Sequence, residues 1–263
     1  MNFNEAFEAL SNINESNSQE DVRNIFDAIG KHLGIIPTTI MSNQFPVYRA
    51  RPINNIHEIT QICDLSYCPH KEKIGFGRAN INEQPMFYCA SANTFQDGIL
   101  ACIVETLKQN EVEEQSIVIS EWRLKEDLKL PIIDRENSCD INARNSCYDM
   151  SCLAEITLNK DEGYIRFYNY MAETFSNEAK HDYEYWITSY FAKKVIGNRF
   201  GGIIYDSVQT KRLELEDVKC VAFTPNAVDE NLELKRAIYL KLNYSADNIK
   251  IIHLQEIDIS TLK

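Results

Sequence analysis

Apolar positions in the first part of the chain recur mainly at helical spacing. Ser18 and Asp21 have the spacing of a capping box, and apolar residues follow at Val22, Ile25, Phe26, Ile29 and Leu33, before Gly34. A shorter helix is predicted over residues 5–10. Thr94 and Asp97 repeat the start signal and predict a helix to about residue 109, with an apolar face of Ile99, Leu100, Ile103 and Leu107.

Short apolar runs of strand length fill much of the remaining chain. They cover 87–90, 116–124, 203–205, 218–224, 234–242 and 249–259, and a long helix is predicted over 177–197. Helices interspersed with strands that crowd at the end favour an α+β fold of mixed, largely antiparallel sheets flanked by helices. Pro37 and Pro46 bracket a boundary near residue 42, and the polar residues 134–152 predict an excursion from the core.

Charge narrows the classes of partner. The chain has 263 residues and 27 Lys plus Arg against 39 Asp plus Glu, a net charge of −12. This balance disfavours nucleic acid and anionic lipid as partners. The acidic N-terminus does not resemble a signal peptide, and no apolar run approaches the ~20 residues that span a bilayer. We therefore expect a cytoplasmic protein that binds neither nucleic acid nor membrane.

Common cofactor and metal motifs are incomplete. Residues 75–80 begin like a dinucleotide fingerprint, but Asn80 stands where the third glycine belongs, and a phosphate-binding Gly-Lys-Ser/Thr loop is absent. Soft metal ligands are present at Cys63, Cys68, His70, Cys139, Cys147 and Cys152, but without the paired CxxC spacing of zinc sites. We expect free thiols and no metal.

An ordered set of short motifs carries more information than any single one. The strings are YRAR (48–51), GRAN (77–80), PMFYCAS (85–91), ACIVET (101–106), NRFGGIIYDSVQ (198–209) and VAFTPNAV (221–228). Their order resembles the RES family, named for its Arg, Glu and Ser, whose members are bacterial toxins and related enzymes that destroy NAD. The resemblance covers about residues 45–225; Ala79 replaces a usual aromatic residue, and Lys219-Cys220 stands where an Asn is common.

The resemblance implies an ADP-ribosyltransferase-like fold that cleaves NAD at the nicotinamide–ribose bond. It assigns catalysis to Glu105, Arg49 and Ser207. Substrate binding falls to Tyr48, Arg78, Asn80 and Tyr88, with Asn80 fixing the Arg-bearing loop. NAD is then a substrate, no resident cofactor is needed, and inorganic phosphate is a candidate co-substrate. Residues 1–42 would form an N-terminal helical extension, and residues 43–263 a catalytic domain with an insertion around 110–165.

Several alternatives stay open at this point. The acceptor of ADP-ribose is phosphate in an NAD phosphorylase, water in a glycohydrolase, or a protein in an ADP-ribosyltransferase. A silent module that binds NAD or ADP-ribose, or an unrelated interaction protein, would share much of the pattern. RES toxins are commonly paired with an antitoxin. The apolar stripe of residues 18–33 would pack on the enzyme itself, form a homodimer contact or receive such a partner.

Overall fold

The computed structural model describes residues 1–33, 36–106, 114–134, 148–149, 161–206, 218–245 and 248–263. Its helices are α1 (Phe3–Ser11), α2 (Gln19–Ile29), α3 (Phe95–Thr106), α4 (Glu162–Ser176), α5 (Asp182–Ile196) and α6 (Pro225–Asn231). Its strands are β1 (Thr38–Met41), β2 (Pro46–Ile53), β3 (Phe87–Ser91), β4 (Glu114–Leu124), β5 (Leu128–Ile133), β6 (Tyr148–Asp149), β7 (Gly202–Asp206), β8 (Lys219–Phe223), β9 (Leu232–Ser245) and β10 (Asn248–Ile257). Within these residues, no helix is long and apolar enough to cross a bilayer.

The described strands form one sheet in the order β10-β9-β4-β2-β3-β8-β7-β5-β1-β6. Neighbouring strands run antiparallel, apart from the parallel pair β5 and β7. The predicted α+β class with a mixed, largely antiparallel sheet flanked by helices is confirmed. Three of the nine pairings in this sheet join strands that are consecutive in sequence, β2–β3, β7–β8 and β9–β10, so most of the sheet depends on pairing between distant segments.

The N-terminal helices pack on the body of the protein. Ser18 caps α2 through the predicted capping box with Asp21, and the buried face of α2 packs with α5. Helix α1 lies against α4, where Phe3 contacts Tyr164 edge-to-face with ring centroids 5.2 Å apart. Both helices share one hydrophobic core with α4, α5 and part of β7 and β8. Residues 3–29 therefore bury their apolar stripe against the same chain.

Residues 114–133 and 162–176, in and next to the predicted insertion around 110–165, form two strands and a helix. Strand β4 pairs along its length with β2 and β9, and β5 pairs with β1 and β7. Asp161 caps α4, a 15-residue helix that the sequence analysis did not predict. The predicted helix over 177–197 begins later, at Asp182, because Asn177 ends α4 and a short connection follows. Residues 135–147 and 150–160, which include Cys139, Cys147 and Cys152, lie outside the described residues.

Helix α3 approaches the sheet unusually closely. Thr94 and Asp97 form the predicted start of this helix, with Thr94 Oγ1 2.6 Å from Asp97 Oδ2. Its buried residues are Gly98, Ala101, Cys102 and Ile103, whereas Leu100, expected on the apolar face, is exposed. A Cβ at Gly98 would lie 2.1 Å from the ring of Tyr48 on β2. The buried face of α3 therefore consists mainly of small residues, because the backbone at Gly98 packs directly against the ring of Tyr48.

Candidate functional site

Strands β2 and β3 separate after a short paired segment. They pair at Val47 with Ser91 and at Tyr48 with Ala90. By contrast, β2 pairs with β4 over eight residues, and β3 pairs with β8 over five. The sheet therefore has a split between β2 and β3 on the C-terminal side of Tyr48. Backbone groups along an unpaired strand edge need other partners, which makes the split a place where side chains or ligands can bind.

Arg49 occupies this split. Its Nη1 atom donates a 2.8 Å hydrogen bond to the carbonyl oxygen of Tyr88, and its guanidinium lies 5.0 Å from the ring centroid of Phe87. The Nε atom is out of contact with solvent and has no hydrogen-bond partner. Burial lowers the pKa of Arg49. Among the described residues this guanidinium forms no ion pair, so the split contains a partly buried positive charge.

Tyr88 and Asn80 join the loop of residues 75–81 to β3. The Tyr88 hydroxyl donates to Asn80 Oδ1 at 2.6 Å and accepts from the backbone N–H of Ala79 at 2.9 Å. Asn80 Nδ2 donates to the carbonyl oxygens of Gly75 and Ile81. Asn80 is buried, and these bonds use both ends of its amide. The asparagine therefore holds the loop that carries Arg78.

Arg78 extends from this loop to the C-terminal end of α4. Its Nη1 donates to the carbonyl oxygen of Thr174 at 3.3 Å and its Nη2 to that of Asn177 at 2.5 Å. The guanidinium also lies 5.9 Å from the ring centroid of Tyr185 on α5. Carbonyls at a helix C-terminus lack helical partners and favour a cation. Arg78 thus fixes α4 relative to the loop, in addition to any role in binding phosphate.

Glu105 lies on α3, on the helix-covered face of the sheet. The residue is exposed, and its Oε1 atom is 3.9 Å from the Sγ of Cys220 on β8. One turn earlier, Cys102 is buried, and burial raises the pKa of its thiol. The positive charge of Arg49 lowers that pKa and the negative charge of Glu105 raises it. Both candidate catalytic charges therefore act on the same thiol.

One predicted site residue, Tyr48, lies beneath α3 instead of in the split. Tyr48 is 2% exposed and belongs to the core beneath α3, with its ring against Gly98 and 5.9 Å from the ring centroid of Phe95. Burial raises the pKa of its hydroxyl. In this position Tyr48 supports the helix that carries Glu105. Ser207 lies outside the described residues; the preceding Asp206 accepts a hydrogen bond from Lys219 Nζ at 2.5 Å.

Comparison with known proteins adds no relative. No family model, no curated protein and no solved structure matches the chain. The function is therefore argued from the motifs and the geometry of this chain alone.

Two groups near the site were missed by the sequence analysis as functional candidates. Cys220 was noted only as a departure from the family pattern, although it contacts Glu105. Lys219 Nζ lies 2.9 Å from Asp134 Oδ2 and also contacts Asp206, which forms an ion cluster at the ends of β5, β7 and β8. Strand alternation could have placed Cys220 on the same face as Tyr88, but its pairing with Glu105 depends on the angle of α3.

The described residues contain no cluster that suggests a metal site. No group of three or more His, Cys, Asp or Glu side chains lies together in that part of the chain. Cys63 Sγ lies 3.5 Å from Gln61 Oε1, and Cys68 Sγ lies 3.8 Å from the carbonyl oxygen of His70. These two thiols therefore have local partners on a surface segment.

Proposed function

We propose that this protein cleaves NAD at the nicotinamide–ribose bond, as the RES family that its motifs resemble does. The observation that carries the proposal is the partly buried guanidinium of Arg49 in the split between β2 and β3, whose Nε–H is shielded from solvent and has no partner. A shielded cation without an ionic partner carries a desolvation cost that a bound anion reduces. A dinucleotide pyrophosphate is an anion with oxygens that match the fork of guanidinium donors.

The reaction requires a negative charge near the ribose. The bond from the nicotinamide nitrogen to the anomeric carbon breaks, and nicotinamide leaves as a neutral molecule with the bonding electrons. Positive charge then develops on the sugar, and the carboxylate of Glu105 stabilises it. An oxygen of phosphate or of water bonds to the same carbon, and water releases its proton to solvent. The position of Glu105 near the thiol that also senses Arg49 supports this pairing of roles.

The other residues support the two charges. The ring of Tyr88 offers a flat surface for nicotinamide or ribose, while its hydroxyl and Asn80 hold the loop. Arg78 adds a positive charge on the loop that the Tyr88 hydroxyl holds. The ring of Tyr48 packs against Gly98 and supports α3. We assign Ser207 to orienting the ribose. An ADP-ribosyltransferase-like binding mode, with NAD lying in the split, accounts for the divergence of β2 from β3.

Nicotinamide release from NAD, followed by chromatography with and without phosphate, tests the proposal. Glu105→Gln keeps the size of the side chain and removes its charge, and we expect kcat to fall by about 100-fold or more. Arg49→Lys keeps the charge but loses the fork, so KM for NAD should rise more than kcat falls. Glu230→Gln, on the exposed surface of α6, is the matched control and should behave like the wild type.

The products distinguish the acceptors. ADP-ribose phosphate indicates phosphorolysis, free ADP-ribose indicates hydrolysis, and label on protein indicates ADP-ribosyl transfer. Wild-type protein that binds NAD in calorimetry without releasing nicotinamide would instead be a silent binding module. Equal turnover by wild type and Glu105→Gln would exclude Glu105 from the chemistry. Loss of cellular NAD and of growth on expression, absent with Glu105→Gln, would show toxin activity.

A further inference from the structure

The thiol of Cys220 lies against the carboxylate proposed to stabilise the ribose cation. Its Sγ is 3.9 Å from Glu105 Oε1, with the thiol in donor geometry. Cys220 is on β8, where its register partners are Ala90 on β3 and Tyr205 on β7. Unlike the fully buried Cys89 and Cys102, Cys220 is partly exposed. The side chain therefore contacts both Glu105 and the solvent side of the site.

The precise position of a catalytic glutamate depends on the contacts of its carboxylate, and one of those contacts of Glu105 is with Cys220. Three rotatable bonds let the carboxylate of Glu105 sample many positions, and fixing such a side chain costs up to about 2 kcal/mol of rotamer entropy. A catalytic group displaced by about 1 Å loses much of its effect. A donor built on a central strand can restrict this movement, because the strand is rigid on both sides.

We propose that Cys220 is a positioning residue for Glu105. Its S–H group donates to Oε1 and restrains the carboxylate beside β8, the strand next to β3. The inference rests on the proposed function, because it assigns Cys220 a role in that reaction.

Two tyrosines on the neighbouring strands lie close to Cys220. Burial raises the pKa of both Tyr88 on β3 and Tyr205 on β7, so these hydroxyls stay neutral. Arg78 contributes positive charge near the same tyrosines. The carboxylate of Glu105 contacts the thiol directly and is a negative charge that disfavours its thiolate.

Thiol reactivity tests the contact without requiring turnover. The thiolate is the nucleophile, so removing a neighbouring negative charge increases alkylation. In Glu105→Gln we expect uncharged iodoacetamide to modify Cys220 about fivefold faster at pH 7.5, the change expected for a partly screened charge at this distance. Exposed Cys63, read in the same digest by mass spectrometry, should react at an unchanged rate. Glu230→Gln is the control for a remote charge.

Steady-state kinetics test the positioning role. Cys220→Ala should lower kcat about fivefold with KM for NAD within about twofold, because orientation acts in the transition state. Cys220→Ser keeps a donor and should recover most of the lost kcat. A purely structural effect of the alanine would instead lower the active fraction of both variants or raise KM.

The outcomes separate the inference from the proposed function. If wild type cleaves NAD and Cys220→Ala matches it in kcat, the positioning role is wrong. If Glu105→Gln leaves the alkylation rate of Cys220 unchanged, the contact itself is wrong. If wild type releases no nicotinamide, the proposed function fails, and the catalytic role of Cys220 fails with it. The alkylation ratio still decides in that case whether Cys220 and Glu105 interact.

Discussion

Gly98 is the position where a single methyl group should most clearly disturb the site. A Cβ there would lie 2.1 Å from Tyr48 Cδ2 and 2.3 Å from Cε2. Ordinary van der Waals contact begins at 3.4 Å, so the ring or the helix would have to move by about 1.3 Å. The ring is buried beneath α3 and beside Phe95, which leaves it little space to move. Gly98→Ala therefore has to shift α3 away from β2.

Two opposing contributions set the size of the effect. Overpacking of this kind costs about 3 kcal/mol at the upper end of its usual range. Replacing a glycine within a helix by alanine stabilises the helix by up to about 1 kcal/mol. We expect the free energy of unfolding to fall by about 2 kcal/mol, or Tm by roughly 4–8 °C for a chain of this size. Glu105 lies about two turns further along α3, so nicotinamide release should fall as well.

Urea unfolding followed by circular dichroism measures this change. Gly75→Ala is the matched control, since a Cβ at Gly75 meets nothing within 4 Å, and its stability should stay within about 0.5 kcal/mol of wild type. Shortening the ring in Gly98→Ala/Tyr48→Leu should cost less than the sum of the single changes, which is the signature of direct contact. A Gly98→Ala protein as stable as wild type, or more stable, would refute the close packing of α3 on Tyr48.

Two further predictions concern groups around the site. Lys219→Met leaves two carboxylates without their shared cation and should lower the free energy of unfolding by about 3 kcal/mol at pH 7. Burial lowers the pKa of Lys219, but Asp134 and Asp206 outweigh it, so the net pKa is raised. The stabilisation is therefore full below the ordinary lysine pKa of 10.5 and is lost as pH rises through the higher pKa of the folded protein, so the two proteins should begin to converge in urea titrations above about pH 10.5. Tyr88→Phe removes the hydroxyl that joins Asn80 to Ala79 and should cost about 1–3 kcal/mol by the same assay; an unchanged midpoint would show that the loop is held by other contacts.

Local signals in the sequence predicted the local structure well. The pairs Ser18–Asp21 and Thr94–Asp97 start α2 and α3 in the structure, because capping depends on residues three positions apart. Apolar runs predicted β3, β4, β7, β8, β9 and β10, whereas β1, β2, β5 and β6 were not predicted from such runs. The prediction missed α4, although Asp161 is an N-cap and aromatic residues recur at helical spacing after it. Tyrosine is compatible with a polar or an apolar helix face, so the buried face of α4 becomes clear only when its packing against α1 is known.

Tertiary partners set the parts of the site that the sequence could not predict. The GRAN motif identifies Arg78 as a candidate, but the motif alone does not show that its guanidinium binds carbonyl oxygens at the C-terminal end of α4. Tyr48 and Arg49 are adjacent in β2, and alternation sends one under α3 and the other into the split. Which of the two meets a ligand depends on the sheet neighbours of β2. A motif therefore predicts the residue types of this site more securely than their roles.

The split and the charge of Arg49 depend on each other. Where β2 leaves β3, the Tyr88 carbonyl loses the strand partner that it would otherwise have, and the Arg49 guanidinium takes that place. The substitution satisfies an acceptor but leaves a desolvated cation with an unused Nε–H. A neutral donor could satisfy the same carbonyl with a smaller desolvation penalty than an arginine, so the hydrogen bond alone does not explain a charged residue here. We expect an anion that binds in the split to compensate the positive charge of Arg49. Charges beyond about 8–10 Å are largely screened, so the net charge of −12 does not prevent such binding.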